Sequence, residues 1–321
     1  MIENFGNNAR PRISIVCVYN NIRILQEVLS YSLKSQTFRD FELISIDNTQ
    51  NDYQSAAEAL NYGVTIASGD FIIFVHQDIM FYSTDAISTL WRSVNELDAL
   101  DSPVILGSAG AVISKSHFKV SRKETIVGQG FIENFRATDA KCSAVPVEVQ
   151  TLDECFFGLA RRFFAVNPLP VIQGVAWDLY ATMFCYLSRR VGFSTIVIPL
   201  KVNHLNTLKY INDVSKQTPT INLKLYTKGV TDRMASFYLT TRCLVASPEY
   251  RKLSLEEHVE IACAGSKYPI PSLRLFMVIS IVRLFYSQRL RSVALIFLEA
   301  YYKFKLNRIL HMNPVQEIHL V

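Results

Sequence analysis

Two hydrophobic periods alternate along the first third of the chain. Ile13–Tyr19 (ISIVCVY) is a short, β-branched apolar run stopped by Asn20-Asn21, which predicts a buried strand entering a turn. Residues 24–35 carry Leu25, Val28, Leu29 and Leu33 at helical spacing. A second strand over 41–46 (FELISI) is halted by the turn-forming Asp47-Asn48-Thr49. A helix over 55–67 is closed by Ser68-Gly69, and 71–75 (FIIFV) predicts a third strand, apolar on both faces, running into His76-Gln77-Asp78. A third helix over 84–97 precedes a fourth strand over 104–113, relaxed by glycines.

Strand and helix in strict alternation imply parallel pairing, with helices on both faces of an open sheet. Continuously apolar strands are what a sheet buried on both faces requires. The expected fold class is therefore α/β, a Rossmann-like open, mostly parallel sheet flanked by helices. Ligands in such sheets bind beyond the carboxyl ends of the strands. The polar clusters Tyr19-Asn20, Asp47-Asn48 and His76-Gln77-Asp78 all fall at such ends.

Further on, 116–149 reads as a long loop or a β-excursion over the sheet. A strand follows at 147–153, then an aromatic-rich element at 156–164, a helix at 176–191 and a strand at 195–204 ending in His204. A polar linker at 207–220 leads to a region helical in pattern, so the expected division is 1–220 and 221–321. Within the second part, 271–286 and 290–308 are apolar helices with narrow basic stripes. The longest uncharged run in the first is eight residues, far short of the roughly 20 that span a bilayer. Such helices suit either the membrane interface or a contact with the first part of the chain or a second subunit.

Composition narrows the classes. Half of the residues are hydrophobic and 19% are charged, so a sizeable core is expected. The net charge of +5 resides in the tail: from Lys267 onward the balance is +6, and the other 266 residues carry −1. A neutral main body argues against a nucleic-acid partner. The six cysteines show neither CxxC pairs nor metal-like spacing, and several lie in apolar runs, as expected of reduced, buried thiols. The opening MIENFGNNARPR lacks the basic-then-apolar design of a secretory signal, which points to the cytoplasm, with a peripheral position on the inner face of the membrane compatible with the tail.

The stretches ISIVCVYNN, FELISIDNTQND, AEALNYGVTIASGDFIIFVHQDI, VQTLDECFFGLARR and WDLYATMFCYLSRRVGFSTIVIPLKVNHL together resemble the family 2 glycosyltransferases, of the GT-A fold. The resemblance is to the subgroup with His-Gln-Asp in place of Asp-x-Asp, and it covers residues 12–204. It implies transfer of a sugar, with inversion, from a nucleoside-diphosphate-sugar to a saccharide or lipid-linked acceptor, usually with Mg²⁺ or Mn²⁺. The setting it implies is bacterial surface-polysaccharide synthesis. On this resemblance Asp78 is the carboxylate for the cation and His204 completes its shell. His76 stands where the family's first Asp touches ribose or metal, and Gln77 lies between them. Asp47-Asn48 matches the family's Asp-Asp, whose second member accepts from the nucleobase; Tyr19 and Asn20 flank the base on its other side. Asp153, Glu154 and Asp178 are the candidates for the base that deprotonates the acceptor. Arg161-Arg162 would meet diphosphate oxygens in a fork. Where many relatives place a later Asp, this chain has Met183.

Each of these positions also has an ordinary structural reading: a turn or helix-capping Asp at 78, an Asx turn at 48, a core histidine at 204, a solvated pair at 161–162. Rival functions fare less well. A nucleotidyltransferase wants a glycine-rich basic loop after the first strand, and YNNIRI supplies none; no GxGxxG follows Val18, as a dehydrogenase requires. A catalytically degenerate binding protein stays compatible with His76 and Met183.

Overall fold

The computed structural model describes residues 1–6, 10–98, 103–113, 126–133, 145–205, 247–254 and 257. Its central feature is an eight-stranded sheet. In spatial order its strands are β1 (Ile2–Asn4), β3 (Phe41–Asp47), β2 (Ile13–Tyr19), β4 (Phe71–His76), β11 (Phe156–Ala160), β6 (Val104–Gly107), β12 (Ser194–Val197) and β9 (Val147–Glu148). β3, β2, β4, β6 and β12 share one direction, while β1, β11 and β9 oppose them. A second sheet has five strands, in the order β10 (Thr151–Leu152), β7 (Ala109–Ile113), β8 (Ile126–Glu133), β13 (Lys201–His204) and β5 (Ile79–Phe81).

The alternating faces of β2 show why its run is apolar throughout. Ile13, Ile15 and Cys17 pack with Leu25, Leu29 and Leu33 on one side, and Val16 packs with Ala57 and Leu60 on the other. The first helical segment is α1 (Ile22–Ile24), a π-helical stretch Leu25–Ser30 and α2 (Tyr31–Lys34), begun by the Asn21 side chain accepting from Arg23 and Ile24 N–H. α3 (Ala56–Thr65) is capped by Ser55, and α4 (Ala86–Asp98) lies on the Leu25 side of the sheet, where Ile87, Leu90 and Val94 are buried. α5 (Arg161–Phe164) and α6 (Tyr180–Arg189) follow β11, and α7 (Pro248–Arg251) comes from the second half. The α/β sheet expected from the alternating periods is thus present.

Three expected strands differ in detail. The strand over 104–113 breaks at the buried Ser108, so that β6 belongs to the main sheet and β7 to the second. The strand over 147–153 likewise divides between the two sheets as β9 and β10. The strand over 195–204 breaks at Pro199, which has no N–H to donate; Leu200 N–H closes a tight turn onto Ile198 O at 2.8 Å. The linker over 207–220 and the helices over 271–286 and 290–308 lie outside the described residues, and among those described no helix is long and apolar enough to cross a membrane.

Candidate metal and nucleotide site

β2 lies between β3 and β4, so the chain leaves it toward one side and later returns to the other. That is a topological switch point, and its crevice opens beyond the carboxyl ends of β2 and β4. Gln77 ties the two ends together there. Its Oε1 accepts from the N–H groups of Asn20 (3.2 Å) and Asn21 (3.0 Å), and its Nε2 donates to Asn20 Oδ1 at 2.6 Å. Gln77 therefore holds the crevice as a clamp between strands.

The next residue, Asp78, sits where the chain crosses from β4 in the main sheet to β5 in the second. β13 runs antiparallel to β5, with His204 opposite Ile79 and Leu205 N–H bonded to Asp78 O at 2.9 Å. This register brings His204 Nε2 within 3.2 Å of Asp78 Oδ1. His76, at the end of β4, presents its ring edgewise to His204 with centroids 5.5 Å apart. His76, Asp78 and His204 each offer one ligand atom, and these atoms lie within 4.8 Å of one another. Burial pushes the Asp78 carboxyl up, but the His204 hydrogen bond and the charges of His204 and His76 together outweigh it, holding the group below its ordinary value. Beneath them the Cys17 thiol is pushed up, first by burial and then by the Asp78 charge, and stays neutral.

On the other side of β2, Tyr19 and Asp47 are register partners, and the Tyr19 hydroxyl donates to Asp47 Oδ2 at 2.9 Å. Asp47 Oδ1 accepts from Thr49 N–H. Asp47 is exposed, whereas Asn48 is turned inward. Its Oδ1 accepts from Tyr53 N–H at 2.8 Å and its Nδ2 donates to Tyr53 O at 3.3 Å. The side chain expected beside a base is thus engaged in closing its own loop, and the exposed carboxylate at this edge is Asp47.

The acceptor-side candidates gather from two elements. β11 runs against β4, so its beginning lies where β4 ends, and His76 N–H bonds to Cys155 O at 3.1 Å. Asp153 Oδ1 accepts from Cys155 N–H, and Glu154 is buried. Asp178, half-buried beside the exposed Trp177, precedes α6. Tyr180, two residues after Asp178, places its hydroxyl 3.2 Å from the Glu154 carbonyl. Burial first, then the charges of Glu154, Cys155, Asp153 and Asp178, raises that phenol well above its ordinary value. The same antiparallel direction corrects the expectation for Arg161-Arg162. They follow β11 at the amino ends of the parallel strands, where Arg161 N–H bonds Asp70 O and its guanidinium donates to Ala67 O, far from the crevice. Met183 is fully buried against Tyr250 and Leu253. Its helix turns this position toward α7, so an apolar side chain belongs there.

Tyr180 carries no mark of a site residue in the sequence. Its hydroxyl lies 3.3 Å from His76 Nε2 and 3.2 Å from Glu154 O, yet in sequence it is an aromatic on the apolar face of a helix. Its partners lie 104 and 26 residues away, and no local pattern marks them.

No protein-family model matches the chain, and no curated protein does. Among solved structures it is similar to GalNAc-T7 with UDP, GalNAc and Mn²⁺ (11% identity, 62% of this chain and 44% of that one, TM-score 0.41). It is also similar to S. aureus TarS 1-349 (13%, 92% of both chains, 0.43) and to A197 from STIV (13%, 60% and 85%, 0.37). The match spans less than half the length of the first of these.

Proposed function

We infer that this chain is a GT-A glycosyltransferase, moving a sugar from a nucleoside-diphosphate donor to a saccharide or lipid-linked hydroxyl. The observation that carries this reading is the convergence of His76, Asp78 and His204 at the switch-point crevice, with His76 on the strand next to that of Tyr19. Two imidazole nitrogens and one carboxylate oxygen, so close together, fit a divalent cation that keeps positions for diphosphate oxygens. Two nitrogen donors favour Mn²⁺ over Mg²⁺, which prefers an all-oxygen shell. Bound there, the ion would supply Lewis-acid neutralisation of charge developing on the diphosphate.

The remaining roles belong to the chain itself. Tyr19 and Asp47 form the polar edge for the base and ribose, with Asp47 taking the accepting role that Asn48 gives to its loop. Gln77 and Asn20 keep that edge in register with the cation ligands. Of the three carboxylates, Asp153 and Asp178 are the ones assigned to take the proton from the acceptor hydroxyl. Both are half-buried, Asp178 beside the exposed Trp177, whereas Glu154 is buried. The basic, apolar stretches over 271–286 and 290–308 suit a position at the inner membrane surface, where a lipid-linked acceptor is presented.

The test is isothermal calorimetry against a panel of nucleoside diphosphates and their sugars, with and without Mn²⁺, followed by donor turnover. At least one donor is expected to bind in the presence of Mn²⁺ and to be turned over. Asp78→Ala should weaken Mn²⁺-dependent binding by more than about 100-fold and abolish turnover. Full sugar transfer by the Asp78→Ala variant defeats this reading.

A further inference from the structure

His76 makes a second, part-buried contact that the reaction chemistry does not use. The Tyr180 hydroxyl touches two groups, His76 Nε2 at 3.3 Å and the Glu154 backbone carbonyl at 3.2 Å. A carbonyl only accepts, and a phenol has one proton. Were that proton spent on His76, two oxygen acceptors would face each other at hydrogen-bond distance in a buried site, an arrangement that costs free energy. The hydroxyl therefore donates to Glu154 O, and its oxygen must accept from His76. His76 then carries its proton on Nε2, and in the neutral ring the lone pair is on Nδ1.

We propose that Tyr180 is a positioning residue that fixes His76 as the Nε2–H tautomer, so that the ring meets a divalent cation through Nδ1. This rests on the reading of His76, Asp78 and His204 as a cation site. Metal-ligating imidazoles are commonly oriented by a partner at their other nitrogen, and loss of such a partner typically costs 10- to 100-fold in affinity. Tyr180 suits the task because it cannot drift. It is buried at the start of α6, with its ring packed against Phe157, and its hydroxyl is anchored to the turn that begins β11. Since β11 pairs with β4, one phenol locks the helix, the turn and the histidine together.

The experiment has two arms. Nitrogen-15 correlation spectra of the metal-free wild type report the tautomer of His76 directly, and the Nε2–H form is expected. A dominant Nδ1–H form overturns the proposal. Mn²⁺ binding followed by electron paramagnetic resonance then compares wild type with Tyr180→Phe, which keeps the ring and loses only the oxygen. The variant is expected to bind about 10- to 100-fold more weakly and to show a mixed His76 tautomer. Unchanged affinity and tautomer in a folded variant make Tyr180 a core filler and sink the proposal. Failure of the wild type to bind Mn²⁺ at all, with the Nε2–H tautomer present, instead overturns the cation site on which it rests.

Discussion

At the scale of single residues, the Tyr19–Asp47 pair makes a statement about pH. Asp47 is held below the ordinary carboxylate value, first by the Thr49 N–H, then by the Thr49 and Tyr19 side chains. Tyr19 is moved up, by burial first and then by the bond to Asp47, so the two partners agree in direction. A carboxyl with a folded value below its unfolded one favours the folded state above the unfolded pKa, about 3.9, and loses that contribution as pH falls through the folded value. Wild type is therefore expected to exceed Asp47→Asn in urea midpoint by a margin that is constant above about pH 5 and shrinks below about pH 4. A margin independent of pH would show that the carboxylate charge is not what Tyr19 and Thr49 stabilise. The residue types at the crevice are legible in the sequence, because strand ends in an alternating α/β pattern select themselves. Their orientation is not. Whether Asn48 faces a ligand or its own loop is decided by the Tyr53 backbone, and the phenol behind His76 belongs to a helix a hundred residues on.

Elements decide what the site can reach, and β11 shows how. The strand–helix alternation implies parallel pairing, and β2, β3, β4, β6 and β12 comply, but β11 enters between β4 and β6 in the opposite sense. A continuous apolar run such as FFGLA has no direction written in it, and its partners lie far back in the chain. Once reversed, β11 delivers Asp153 and Glu154 to the crevice and carries Arg161 and Arg162 away from it. Its close seating depends on Gly158, where a Cβ would lie 2.2 Å from Ile72 O and 2.6 Å from Ile73 Cδ1. The carbonyl is backbone and cannot swing aside, so Gly158→Ala must open the β4–β11 pairing. A loss of about 1–3 kcal/mol in denaturant unfolding is expected. Weaker Mn²⁺ binding should accompany it, since β4 holds His76. Stability and affinity equal to wild type would mean that the strands relax without moving the site.

Across the whole molecule, the site exists because two sheets meet: β4 contributes His76, and the long-range antiparallel pairing of β5 with β13 contributes His204, with Asp78 at the crossing between them. The second half of the chain packs against α6. Tyr250 of α7 and Leu253 just beyond it join Met183 and Tyr186 of α6 in a small buried cluster, completed by Ile172, Val175 and Leu179 and apart from the two main ones. Arg190 on the same flank pairs with Glu257 at 3.1 Å. The ion pair is solvent-screened and adds little, so the apolar contacts carry the attachment. Tyr250 is 4% exposed, and removing its ring leaves a cavity facing Met183 and Tyr186. Tyr250→Ala should therefore destabilise the fold by about 3 kcal/mol, a loss read as a lower denaturant midpoint. Mn²⁺ affinity should stay at the wild-type level, because Tyr180 packs in a different cluster, with Phe157 and Phe184, and its hydroxyl is held by the Glu154 carbonyl. If affinity fell together with stability, the α7 contact would be part of the site's geometry, and residues 247–254 would have to be counted with the part of the chain that builds the site.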